Sequence, residues 1–294
     1  MRVAIFTAVL LVAFQLPAQQ ATGSGPTVSR VLQGMKSPKW AQREEAFGKA
    51  SELLASGEIS PKDADRLRLG IIQLLVYENN GGLDDADGQT KQASANTGDV
   101  VEEADEGGEG DQEGEYYAEL INFVAHMDDE RAIPALLGAS GTGGMATRAV
   151  ARFGKRALAP TLAQAGGQDS HLAEGALFVV REMLEHGLVT DSDSHQRIKD
   201  ALHSALASRE EGVREVAIAV VEYLPGREEF VPALQELAQH DPYQLDGRAE
   251  DGQDNGEIYP VRRAARILLR QITNREQPVV DKGLPPSEYK PVKP

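Results

Sequence analysis

Cysteine is absent from all 294 residues. Disulfides, thiolate metal sites, cysteine nucleophiles and iron–sulfur clusters are thereby excluded. Aromatic residues are scarce, at 5% with a single tryptophan, and basic residues are outnumbered. The 30 Lys and Arg face 46 Asp and Glu, leaving a formal charge of -16. Duplex nucleic acid is therefore not the expected partner, because binding there depends on neutralising phosphates. What is present is an ordinary hydrophobic fraction of 41%, enough for most of the chain to fold. An aromatic-poor, Ala- and Leu-rich composition leans helical. The length allows one elongated domain or two compact ones.

The first residues read as an export signal. Arg2 supplies a positive charge, Val3 to Phe14 is apolar apart from Thr7, and Leu16-Pro17-Ala18 offers small residues for cleavage. The apolar run is too short to span a bilayer comfortably, and its order is that of a cleavable signal. The expectation is a signal peptide at 1–18, a mature chain from about Gln19, and a periplasmic or extracellular location. No membrane association is expected after cleavage. With no cysteine after the apolar run, lipid attachment there is excluded, and an exported form must be stabilised by packing alone.

Four parts follow. Residues 19–79 read as a helical segment. Val28, Val31, Leu32 and Met35 form a short helix, Ser37-Pro38 opens a second, and Ser60-Pro61 opens a third that stops near Asn79-Asn80-Gly81-Gly82. Residues 80–114 read as a disordered acidic linker. The stretch 81–115 holds twelve acids, eight glycines, one lysine and no aromatic before Tyr116, too little apolar area to offset ordering entropy. Residues 115–273 are helical and repetitive. Residues 274–294 form a proline-rich tail expected to be disordered.

The repeat carries the fold. Met145-Ala146-Thr147-Arg148-Ala149, Leu172-Ala173-Glu174-Gly175-Ala176, Val213-Arg214-Glu215-Val216-Ala217 and Val261-Arg262-Arg263-Ala264-Ala265 share a hydrophobe, a residue often arginine, two more, then alanine. Partner helices are announced by Ile133-Pro134-Ala135-Leu136-Leu137, Ala159-Pro160-Thr161-Leu162 and Val231-Pro232-Ala233-Leu234, each with proline where a helix can start. A helix from about Ser194 fills the same role without proline. The fifth-position alanine is read as small because two helices cross closely there. A single pair cannot bury its apolar face, so such pairs stack.

On these residues the chain resembles the HEAT repeat family, and its shortest unit resembles the HEAT-like repeats of phycobilisome lyases. The resemblance covers residues 115–273. It implies an all-α fold, an α-solenoid of about four helix pairs, and a scaffold or binding role. The first two units carry Ala146 and Ala173 in place of arginine. Residues 26–79 do not show the pattern and are taken as an N-terminal helical cap or as diverged repeats.

Catalytic patterns are missing. Gly138, Gly141, Gly143 and Gly144 precede Met145, where a phosphate loop needs lysine and Ser or Thr, so they read as a helix–helix turn. The histidines lack metal-ligand spacing, although Glu182, Glu185 and His186 can meet on one helix face. Asp105 to Asp111 lacks the phase of a calcium loop. The acidic stretch Asp241 to Glu257 interrupts the last pair and reads as a solvated loop, with Asp246, Glu250, Asp251, Asp254 and Glu257 as weak cation candidates. The two acidic stretches carry charge equal to the whole net charge, so the helical body is close to neutral.

The expectation is a non-enzymatic exported scaffold that meets a protein partner through the second helix of each pair. No cofactor, catalytic residue or metal ligand is implied. The candidate contacts are Arg148, Arg152, Arg181, Glu215, Glu222 and the stripe Arg263, Arg266 and Arg270. An enzyme accessory of the lyase type and a weak cation-responsive module are the alternatives.

Overall fold

The computed structural model describes residues 24–82, 109–142, 144–245 and 258–274. The described residues are helical, with no strand among them. Three helices come first: α1 (Ser24–Gly34), α2 (Trp40–Ser56) and α3 (Pro61–Tyr77), closed by a π-helical turn at Glu78–Gly82. There follow α4 (Glu109–Ala125), α5 (Ile133–Gly138), α6 (Gly144–Arg152), α7 (Lys155–Ala165), α8 (Ser170–Glu185), α9 (Ser192–Leu206), α10 (Glu211–Val221), α11 (Val231–His240) and α12 (Pro260–Thr273). An antiparallel bridge between Leu245 and Ile258 joins the two ends of the acidic stretch before α12.

Packing follows the repeat. The helices pair as α5 with α6, α7 with α8, α9 with α10, and α11 with α12. The second members also pack in succession, α6 on α8, α8 on α10 and α10 on α12, and α4, which packs on α3, extends this row by packing on α6. The first segment belongs to the same body, because α3 packs on α4 and α5. One apolar core therefore runs from Val28 to Leu269. The four fifth-position alanines, Ala149, Ala176, Ala217 and Ala265, are all buried, as a close helix crossing requires.

Gly175 shows how close these crossings are. A Cβ there would lie 2.6 Å from Ser140 Oγ and 2.8 Å from the Gly141 amide nitrogen. Gly175→Ala gains about 1 kcal/mol of helix propensity but must push α8 away from backbone. The expected outcome is a net loss of about 1–3 kcal/mol, read as a lowered urea midpoint.

Three boundaries differ from the sequence reading. The acidic linker is shorter than 80–114. Residues 80–82 complete the turn after α3, and 109–114 are the first turns of α4, a helix anchored by buried Tyr116, Leu120 and Val124. The rest of that linker, like the signal at 1–18 and the tail after Asn274, lies outside the described residues. Helix α2 starts at Trp40 rather than at Pro38, because the carbonyls of Ser37 and Pro38 turn inward to the Arg43 guanidinium. Pro160 does not start a helix. It sits inside α7, which begins after Gly154 at φ 54°, a left-handed geometry suited to glycine. The other proline signals hold: Ser60 caps α3 by accepting from the Asp63 amide, and Pro134 and Pro232 stand in first turns.

Asp191 caps α9, accepting from the Ser194 amide and hydroxyl and facing Lys155 Nζ at 3.2 Å. These bonds, the two from Ser194 first, hold its carboxyl down at about 2, below the ordinary 3.8. A depressed carboxylate contributes stability that is complete above its unfolded pKa and is lost as pH falls through the folded one. Asp191→Asn should therefore flatten the acid side of the stability profile between about pH 4 and pH 2, measured by thermal melting.

Candidate functional site

The second-position arginines build the most elaborate polar sites of the structure. Arg214 is buried in α10, and its Nε and Nη2 donate to both carboxylate oxygens of Asp241 at 2.6 and 3.0 Å. Its Nη1 donates to the carbonyls of Ser208 and Arg209. Asp241 in turn accepts from the Tyr243 amide, and its backbone carbonyl accepts from Nε of the buried Arg262 in α12. Arg262 also lies over the Tyr259 ring at 4.2 Å. Asp241 is thus a core residue and not part of a solvated loop, which corrects the reading of 241–257 at its first position. The candidate cation ligands Asp246, Glu250, Asp251, Asp254 and Glu257 lie outside the described residues.

The same constellation stands in the N-terminal helices. Arg43 Nε and Nη2 donate to Glu78 at 2.7 and 3.1 Å, and Nη1 donates to the carbonyls six and five residues upstream, Ser37 and Pro38. Arg214 reaches back by the same two steps. Arg43 stands three residues before buried Ala46, as Arg214 stands three before Ala217. Residues 26–79 therefore do carry the pattern, at Gln42-Arg43-Glu44-Glu45-Ala46, where glutamine in the hydrophobic position hid it. Arg43 also bonds the Gly82 carbonyl, and Tyr116 of α4 donates to Glu78 at 2.8 Å. Burial works against the Arg43 cation, but Glu78 more than offsets it, so its pKa is raised. Burial, then Glu78, pushes the Tyr116 phenol well above its ordinary 10.0.

These sites are filled by their own partners. What remains for a ligand is the outer surface of the row α4, α6, α8, α10 and α12. Arg148 and Arg152 are exposed on α6, Glu215 and Glu222 on or just beyond α10, and Arg263 and Arg270 on α12. Arg181 of α8 is half-buried, stacked on the Tyr223 ring at 5.3 Å with Glu185 3.7 Å from its Nε. Arg266 does not stand with Arg263 and Arg270. It is half-buried and its Nε donates to the Arg262 carbonyl. Ile267, 50% exposed, lies between the two outer arginines instead. Phe178 on α8 and Met145 on α6 are also exposed.

A groove of about 480 Å³ crosses α4, α6 and α8 on this surface. Its polar lining is Asn122, His126, Arg148, Arg152, Glu182 and His186, and its apolar lining includes Met145 and Leu188. Glu182 reaches His186 at 3.3 Å while Glu185 turns to Arg181, so the three residues do not converge on one point. A second groove of about 360 Å³ lies between α1 and α3, lined by Leu32, Met35, Leu69 and Tyr77. No helix among the described residues is long and apolar enough to cross a membrane. The chain matches no protein-family model and no curated protein.

Proposed function

We propose that the chain is a non-enzymatic, exported scaffold built as a short HEAT-like solenoid, which holds a protein partner on the surface of its second helices. The observation that carries this reading is the succession α4, α6, α8, α10 and α12, each packed on the next, with charged and apolar side chains standing outward along it. The repetition of the Arg214 site at Arg43 supports it further, extending the repeat to the N-terminal helices. The Arg43–Glu78 and Arg214–Asp241 clusters deep in the fold are closed ion pairs, and the outward face is broad and mixed in charge. Such a face suits recognition by many weak contacts around a few anchors.

The α12 stripe provides the test. Arg263 and Arg270 are the members free to move without disturbing the core. Arg263→Ala with Arg270→Ala should weaken capture of a partner from a cell-envelope lysate, with the melting temperature unchanged. Unchanged capture would remove α12 from the contact face.

A further inference from the structure

We propose that the groove across α4, α6 and α8 is the anchor point of that face and takes an acidic side chain flanked by an aliphatic one, presented by a peptide segment of the partner. The proposal rests on the scaffold reading and adds the chemistry of its occupant. Charge is the first argument. Arg148 has no ion pair among the described residues, and Arg152 donates only to the Ala125 carbonyl. Two exposed arginines one helical turn apart thus stand on α6 with no carboxylate paired to them among the described residues. The groove holds one acid, Glu182, which is engaged by His186. His126 also lines the groove, with its Nδ1 donating to the Asn122 carbonyl. Its own charges therefore favour an anion, and guanidinium groups bind carboxylates with directional, charge-assisted bonds.

Shape is the second argument. Met145 is 42% exposed and Leu188 39% exposed, and both line this groove beside the arginines. Methionine adapts to varied apolar partners. A carboxylate held by Arg148 and Arg152 would place an adjacent aliphatic group against these two side chains. A simple ion would leave them uncovered. Three successive helices contribute to the site, so it exists only when they are stacked.

Methionine methyl groups report on this directly. Met145 lines this groove, Met35 lines the groove between α1 and α3, and Met183 is buried. The chain from Gln19 to Pro294, labelled with 13C-methyl methionine, is titrated with acetyl-Leu-Glu-Leu-amide, with acetyl-Leu-Gln-Leu-amide and with sodium hexanoate. The Glu peptide should shift the Met145 signal and leave Met35 in place. The Gln peptide should bind about tenfold more weakly, or about 1.4 kcal/mol. Arg148→Gln with Arg152→Gln should abolish the shift while Met183 keeps its position. If that pair unfolds the protein, Arg148→Gln alone should weaken binding. Equal shifts from the two peptides, equal movement of Met35, or no Met145 shift would overturn the proposal. A shift with hexanoate and none with the peptide would overturn it too, and would mark the groove as a site for free organic acids. The scaffold reading is tested separately, its α12 contact by capture through Arg263 and Arg270.

Discussion

Arg214→Ala lowers the unfolding free energy by about 3–5 kcal/mol, the expected cost of breaking a buried ion pair from one side. The substitution removes at least four hydrogen bonds at once, two to Asp241 and two to the carbonyls of Ser208 and Arg209. It leaves the Asp241 carboxylate in the core with the Tyr243 amide as its remaining donor. The damage spreads because Asp241 closes α11 and its carbonyl receives Arg262 of α12. The last two helix pairs should therefore loosen together, read as a lowered urea midpoint and as faster amide exchange in α10, α11 and α12. The pair Arg214→Met with Asp241→Leu removes both charges and should cost clearly less than either single change. A single loss below about 1 kcal/mol would mean that solvent reaches this pair.

Glu78→Ala has a comparable effect at the other end, again about 3–5 kcal/mol. Arg43 would stay buried without its carboxylate, and Tyr116 would lose its acceptor. Glu78 and Tyr116 lie on either side of the acidic linker, so this contact fastens α4 to the N-terminal helices across it. Tyr117 repeats the fastening by donating to the Asn79 side chain, whose amide bonds the Ala135 carbonyl. Amide exchange in α2 and α3 should rise more than in α10. Tyr116→Phe is far milder, at about 1 kcal/mol, because Arg43 still satisfies Glu78. It should carry a pH signature. A phenol with a raised folded pKa contributes stability that is complete below its unfolded value of 10.0 and is lost as pH rises beyond it. The native chain should lose stability above pH 10, and Tyr116→Phe should reduce that loss.

Helices and their pairing were legible because each of the four units repeats one local arrangement. An apolar stripe at helical spacing, a small residue at the crossing and a turn marker recur in order. Boundaries were read where a local signal was complete, as at Ser60-Pro61, and misread where a long-range contact overrode it. Pro38 offered a start signal, but the preceding carbonyls serve Arg43, so α2 begins later. Roles of charged residues were the least legible. An arginine at a repeated position reads as a surface residue until its carboxylate is located, and Asp241 and Glu78 stand 27 and 35 residues downstream of Arg214 and Arg43. Recurrence of arginine three residues before a buried alanine was the available signal. On the candidate face the exposed arginines of α6 and α12 were placed by helical phase. The same phase puts Arg266 on the α12 stripe, but it does not show the turn back to the Arg262 carbonyl that leaves this residue half-buried. The groove joining α4 to α8 depends on packing between helices that no local pattern encodes.

The proposed binding face is the surface of the second helices. Photo-crosslinking from single positions tests it most directly. A crosslinking amino acid is placed at Phe178, Glu215 or Ile267, which are exposed on α8, α10 and α12, and separately at Arg197 or Gln235, exposed on α9 and α11. Adducts to one common partner are expected from the first three positions and none from the other two. Adducts from Arg197 and Gln235, with none from Phe178, Glu215 and Ile267, would contradict it.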